Sequence, residues 1–197
     1  MSTLTAIINL TLDGVMQAPG HPDEDPRDGF PYGGWAGPYA SDAMGRLMGQ
    51  APGSSTAMLF GRRTYERFAD YWPKQSDNPF TEVLNNVQKF VASTTLRAPL
   101  PWQNSTVLSG PAEESVSALK QDARFDELVA LGSGELLGSL MRSGLVDVWK
   151  LLIHPLVLGA GRKLFPDGAP KTALEFVESV STTTGVIIGT YRAVAKP

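Results

Sequence analysis

The sequence contains no cysteine, which excludes disulfides and thiolate-ligated zinc and fits a reducing compartment. Histidine is nearly as scarce. His21 and His154 are the only two, too few for a histidine-based metal cluster, so no metal is expected. Neither charge sign is in marked excess: 17 Lys and Arg against 20 Asp and Glu give a net charge of −3. That leaves no electrostatic footprint for nucleic acid or an anionic membrane. No run approaches the ~18 apolar residues of a membrane span. The first residues, MSTLTAIINLTLDG, lack a basic n-region and reach Asp13 early, so no signal peptide is expected and a cytoplasmic protein is. A G-x-x-x-x-G-K-[ST] phosphate loop is missing, which argues against an NTPase. A G-x-S-x-G elbow is missing too, which removes the main support for a Ser–His–Asp hydrolase built on His154.

What is present is ordinary globular composition, 42% hydrophobic and 19% charged in 197 residues, enough for one substantial domain. There is no repeat, low-complexity segment or linker, so residues 1–197 read as a single domain. Apolar and β-branched runs predict strands at Leu4–Leu12, Thr56–Phe60, Lys89–Ala92, Thr106–Leu108, Leu128–Leu131 and Val146–Ile153. Helical periodicity predicts helices at Ser41–Gln50, Tyr65–Tyr71, Glu82–Val87, Glu113–Phe125 and from about Glu135. Leu174–Ser181 and Val186–Val194 read as a terminal hairpin. Strands alternating with helices predict an α/β fold with a mainly parallel sheet, and the hairpin adds an antiparallel edge.

The stretch Leu128–Ser143, LVALGSGELLGSLMRS, is a strand, a glycine turn and an amphipathic helix. Such a turn lets a ligand approach bare backbone, and the first helical amides present partial positive charge that suits a phosphate. A plain strand-to-helix turn is the alternative. The string resembles G-x-G-x-x-G, but Leu137 stands at the third glycine and the motif comes late, which excludes a standard Rossmann domain. A second junction, Gly61-Arg62-Arg63-Thr64, puts two arginines at a helix start, where they oppose the helix dipole unless an anion joins them. A third strand ends in Ser93-Thr94. In a parallel sheet these three ends share one edge, where ligands bind, and a dinucleotide with separated phosphates needs several such stations.

Between the first strand and the first helix, Gln17–Pro38 is dense in Pro, Gly and Asp and carries Phe30, Tyr32 and Trp35, with Tyr39 just beyond. The aromatics form either a wall over a flat ligand or a tuck that pins the loop to the body. Asp13 follows the first strand directly, either facing the cleft or making an Asp-Gly turn. Asp23, Glu24 and Asp25 read as solvating charges.

Together, TLDG (Thr11–Gly14), LFGRRTYE (Leu59–Glu66), VAST (Val91–Thr94), ALGSGELLGSLMRSGLVD (Ala130–Asp147) and IHPLVLGAGRKLF (Ile153–Phe165) resemble the riboflavin-pathway reductase C-terminal-domain family, of the dihydrofolate reductase-like superfamily. The resemblance spans nearly the whole chain. It implies a three-layer α/β/α domain, a homodimer, and NADPH as hydride donor to a small-molecule substrate. The reaction implied is reduction of C=N or C=O in a heterocyclic or ribosylamino compound, 5-amino-6-(5-phosphoribosylamino)uracil-like or pterin-like. It assigns Gly61, Arg62, Arg63 and Thr64 to the cofactor phosphates, including the adenosine 2′-phosphate, and Ser93 and Thr94 to the adenosine end. Gly132, Ser133, Gly134, Glu135 and Leu136 take the pyrophosphate. Ile8 and Met16 lie near the nicotinamide, Trp35 and Tyr39 on the substrate side, and Asp13 or Asp42, or a bound water, supplies the proton. Two departures stand out: the Trp35-to-Asp42 spacing differs from that of true dihydrofolate reductases, and no deaminase domain with a zinc motif is present. A catalytically silent NADP(H)- or nucleotide-binding protein is the alternative to a reductase, and a dinucleotide-independent hydrolase using His154 is a third reading.

Overall fold

The first strand, β1 (Thr3–Thr11), alternates Leu4, Ala6, Ile8 and Leu10 on one side with Thr5, Ile7, Asn9 and Thr11 on the other, and it lies deep in an eight-stranded sheet. The computed structural model describes residues 1–41, 45, 53, 55–76 and 78–194. The other strands are β2 (Thr56–Gly61), β3 (Gln88–Ala92), β4 (Ser105–Leu108), β5 (Glu127–Leu131), β6 (Val148–His154), β7 (Leu174–Ser181) and β8 (Ile187–Ala193). Their order is β4-β3-β2-β5-β1-β6-β8-β7. The first six run parallel; β8 pairs antiparallel with β6 and closes the hairpin with β7.

Among the described residues four α-helices cover the two faces: α1 (Arg62–Tyr71), α2 (Pro79–Asn86), α3 (Ala112–Lys120) and α4 (Gly134–Arg142). Strand alternation decides which helix meets which face. Leu59, Phe90, Leu128 and Ala130 pack with Val116 and Leu119 of α3 and Leu136, Leu137 and Leu140 of α4. Met58, Phe60, Val91, Val129 and Leu131 pack with Tyr65 of α1 and Phe80 and Leu84 of α2. The result is the three-layer α/β/α arrangement expected from the sequence. Among the described residues no helix is long and apolar enough to cross a membrane.

Several boundaries differ from the sequence expectation. Helix α1 begins at Arg62 rather than Tyr65, so the two arginines sit inside its first turn. Helix α3 stops at Lys120 instead of Phe125, because the Asp122 carboxylate accepts the Arg124 amide at 3.0 Å and folds the chain into a turn. Strand β6 extends to His154. The helix expected over Ser41–Gln50 falls almost wholly outside the described residues.

One buried cation fixes α2 to the sheet. Lys89, fully buried on β3, donates to the carbonyls of Leu84 (2.6 Å), Asn85 (3.3 Å) and Val87 (2.8 Å) at the end of α2. Its ammonium also lies 4.5 Å from the Trp102 ring centroid. A cation at a helix C-terminus meets the negative end of the dipole and carbonyls that the helix itself leaves unpaired. Burial pulls the Lys89 ammonium down to about 8. Lys89→Met keeps the bulk but leaves those carbonyls buried without a donor, so it should cost about 2–3 kcal/mol of unfolding free energy in a urea titration.

Candidate active site

The parallel sheet sends β1 and β5 in opposite directions at their carboxyl ends. The chain leaving β5 enters α4 on one face, whereas the chain leaving β1 runs to the aromatic loop, whose Tyr39 packs on Leu152 beside Ile7 on the other. This is a topological switch point, where an open α/β sheet leaves a crevice.

On the β5 side, Ser133 caps α4 with φ 57°, ψ 38°. A residue other than glycine is uncommon in that left-handed region. Two hydrogen bonds across the sheet hold it there. The Ser133 N–H donates to Thr64 Oγ1 at 3.1 Å, and the Gly61 N–H donates to Ser133 Oγ at 2.9 Å. The glycine turn after β5 and the start of α1 after β2 are therefore one rigid unit. Thr64 has its hydroxyl oxygen engaged in propping the turn. The Met16 side chain lies over the turn so closely that a Cβ on Gly134 would meet its Sδ at 1.9 Å. Ser93, at the end of neighbouring β3, accepts the amides of Thr95 and Leu96 in a local turn, while Thr94 is exposed.

Glu135, the second residue of α4, accepts from three guanidinium groups that come from three separate segments: Arg27 Nη1 at 2.6 Å, Arg63 Nη1 at 2.9 Å and Arg162 Nη1 at 3.0 Å. Arg27 is also paired with Asp25 at 2.5 Å and Arg162 with Asp28 at 2.8 Å. Partial burial pushes the Glu135 carboxyl up, but the Arg27 hydrogen bond and the three positive charges outweigh it and hold it below its ordinary range. Arg62 points elsewhere and pairs with Glu66 one turn along α1 at 2.8 Å.

Gln17 brings two of those arginines in. It is 4% exposed. Its Nε2 donates to the carbonyls of Asp25 and Arg27, both at 3.0 Å, and its Oε1 accepts the Arg162 amide at 2.9 Å. Its own carbonyl accepts Trp35 Nε1 at 2.7 Å. The segment after β1 is zipped to the LGAGR loop by Met16 N–H to Arg162 O (2.9 Å) and Leu164 N–H to Gly14 O (3.1 Å). Gly161 makes that approach possible: at φ 113°, a Cβ there would meet the Phe30 ring at 2.6 Å.

On the β1 side, Asp13 belongs to this zipper. It accepts Thr11 Oγ1 at 2.5 Å and the amides of Gly159 at 2.8 Å and Leu158 at 3.3 Å. The Thr11 hydrogen bond first, then the two amides, lower its pKa despite slight desolvation, so it is an ionised acceptor and not a poised acid. Ile8 faces α4 and is 2% exposed; the strand's alternation turns it into the core, and only Met16 of the pair offers side-chain surface. Trp35 is buried and Tyr39 half-buried, each roughly perpendicular to the imidazole of His154 (centroids 5.1 and 5.5 Å). The aromatic loop is thus tucked through Phe30 and Trp35, with Tyr32 left outside. His154 is fully buried, and burial, partly offset by the Leu152 and Leu10 carbonyls, lowers its pKa, an environment that suits a neutral wall residue better than an open catalytic base. Asp42 lies outside the described residues.

The sequence reading missed Arg27, Arg162 and Gln17. Each stands alone in a loop without periodicity, and only the Gly-Ala-Gly before Arg162 marks its neighbourhood as one of close backbone approach.

A family model described as the RibD C-terminal domain matches residues 2–188. The chain is 30% identical over 138 residues to the uncharacterised protein YyaP of Bacillus subtilis, covering 66% of this chain and 70% of that one. Among solved structures, it is similar to a protein of Shewanella sp. PV-4 named for riboflavin biosynthesis, with a TM-score of 0.68 at 18% identity over 98% of this chain and 99% of that one. It also shares its fold with dihydrofolate reductase of Enterococcus faecalis, solved with NADP(H) and RAB-propyl. The TM-score there is 0.60 at 15% identity, over 98% of this chain and 97% of that one.

Gln17→Met should disconnect the Arg27 and Arg162 loops together. It leaves two carbonyls and one amide without the partner that Gln17 gives them, so a loss of about 2–3 kcal/mol in chemical denaturation is expected, with faster hydrogen exchange confined to residues 17–38 and 156–165.

Proposed function

The chain belongs to the RibD C-terminal domain family, and on that premise we propose that it is an NADPH-dependent reductase of a small, flat heterocyclic compound. One observation carries the reading: three guanidiniums converge beside the amino terminus of α4 at the sheet's switch point. The donor set fits a phosphate-bearing cofactor. The first amides of α4 have no partner within the helix, and arginine forks match phosphate oxygens. Partly exposed ion pairs contribute only ~0–1 kcal/mol each, so a pyrophosphate that takes the guanidiniums from Glu135 gives up little.

In this reading the amides of Gly134, Glu135 and Leu136 meet the pyrophosphate, with Arg27, Arg63 and Arg162 around it, whereas those of Gly132 and Ser133 are already given to Ile7 O and Thr64 Oγ1 and only shape the turn. Arg62, half-exposed on the outer side of α1, is left for the 2′-phosphate, and Ser93 and Thr94 flank the adenosine. Met16, lying over Gly134, borders the nicotinamide. When bound, NADPH supplies a hydride to the carbon of a C=N or C=O bond and leaves as NADP⁺, while the nitrogen or oxygen takes a proton. The protein's part is orientation and exclusion of water. Asp13, ionised and triply engaged, acts here as the clamp of the LGAG loop; the proton comes from Asp42 or from water. The engagement of Asp13 also favours a second reading, a silent NADP(H)-binding protein.

A homodimer is part of the proposal. The edge strand β7 is exposed along nearly its whole length, Phe176 and Val180 included, and sedimentation equilibrium giving only monomer would remove that part.

Thermal shift with NADPH and NADH is the primary test. NADPH should raise the melting temperature. Arg63→Ala or Arg162→Ala should weaken its binding about tenfold or more, and Arg62→Ala should erase the preference over NADH. No shift with either nucleotide would overturn the proposal. Binding without NADPH oxidation across a panel of heterocycles would select the silent binder.

A further inference from the structure

Glu135 gathers more donors than a carboxylate can serve singly. Arg27, Arg63 and Arg162 each turn Nη1 toward it, and it has two oxygens. Oε1 takes Arg27 at 2.6 Å and Arg162 at 3.0 Å, and Oε2 takes Arg63 at 2.9 Å. Arg162 Nε is in addition buried without a partner. A phosphate offers an oxygen to each guanidinium, and arginine's planar fork suits it. An acidic residue in the first turn of a helix is ordinary, because it meets the positive end of the dipole. That alone does not explain guanidiniums delivered to it from three separate segments.

The arginines do not depend on Glu135 for their positions. Arg63 belongs to α1. Gln17 holds the main chain of the other two, through the Arg27 carbonyl at 3.0 Å and the Arg162 amide at 2.9 Å. Asp25 grips the Arg27 guanidinium from another side, taking Nε on Oδ1 at 2.6 Å and Nη2 on Oδ2 at 2.5 Å, and Asp28 takes Arg162 Nη2 at 2.8 Å. Glu135 is therefore an occupant of the cluster rather than its support. The charges agree. Three arginines face three carboxylates, Asp25, Asp28 and Glu135, so the cluster has no positive charge to spare until Glu135 leaves. Glu135 is free to leave, since its side chain is half-exposed.

We infer that Glu135 is a tethered competitor for the arginine cluster, an internal anion that an incoming phosphate must displace, and that it thereby restricts the crevice to anions anchored by further contacts. A carboxylate fixed to α4 competes at an effective concentration of order millimolar. Free phosphate or pyrophosphate meets that competitor with no other hold on the protein. A dinucleotide meets it with its adenosine and nicotinamide ends also bound, and so displaces it readily. That the admitted anion is a dinucleotide rests on the reductase reading; the competition itself does not.

The test titrates inorganic pyrophosphate and, separately, NADPH into wild type and Glu135→Gln, following the amide resonances of Gly134 and Leu136. The variant keeps the size of the side chain and removes its charge. It should bind both ligands about tenfold more tightly, by a similar factor, because the same carboxylate leaves both competitions. A carboxylate that organised the arginines would give the opposite sign. Absent, unchanged or weaker pyrophosphate binding by the variant overturns the inference. A second comparison separates displacement from simple repulsion. In an Arg63→Ala background the gain from Glu135→Gln should shrink, because the competitor has lost one of its partners. A full gain there would mean that Glu135 repels the ligand without being displaced, and would also overturn the inference. Tighter pyrophosphate binding by the variant, with NADPH binding to neither protein, would remove the reductase reading and keep the competitor. NADPH binding to wild type with no gain in the variant would do the reverse.

Discussion

The side chain of Gln17 is the interaction on which the crevice depends. A carboxamide can serve two donors and one acceptor group at once, and in Gln17 all three sides are used inside the protein. Two loops of opposite origin, one following β1 and one following β6, are thereby held at a common height, and the arginines they carry reach the amino terminus of α4. A buried amide that is fully satisfied is rigid, because any rotation leaves a partner unpaired. Weak, exposed ion pairs at the surface consequently sit on a stiff support, and the guanidiniums stay clustered despite their mutual repulsion.

Physical character changes across the crevice in the order of the strands. At β2 and β5 the groups are charged, half-exposed and screened by salt, a setting in which the phosphates of the proposed cofactor would exchange easily with Glu135. At β1 and β6 the wall is buried and aromatic, and its polar atoms are few and neutral. The proposed hydride transfer would use that division: a wet, cationic half to hold the anionic part of a dinucleotide and a dry half around the reacting carbon. Ser133 stands at the division. Its left-handed backbone is tied on one side to Thr64 and Gly61, and Met16 covers the adjacent glycine. A shift of that turn would move both halves together.

The periodic elements were readable in the sequence because burial repeats along them. The strand-to-helix alternation, the parallel core and the terminal hairpin all follow from runs such as TAIINL and ELVAL, whose faces are both buried. The Gly132-Ser133-Gly134 turn and the arginines after Gly61 announced themselves through residue types that are costly or unusual at helix starts. Boundaries slipped where a side chain redirected the backbone, as Asp122 does after α3. Arg27, Arg162 and Gln17 gave no such signal. Their importance is relational, arising from segments 10 and 145 residues apart in sequence that bond to one carboxamide.

The sequence by itself determined which segments form strands and helices, the family to which they belong, and the glycine turn's suitability for an anion, since these follow from local sterics and from the pattern of apolar residues. Tertiary structure decided the roles of individual polar groups. Asp13 became a clamp because the Gly159 amide happens to lie within reach, Thr64 became a prop because β2 and β5 are neighbours, and Ile8 was sealed inside by the parity of β1. Hydrogen bonds are short-ranged and saturable, so the use made of a polar side chain depends on which partner the fold delivers to it, and no local reading of the chain contains that choice.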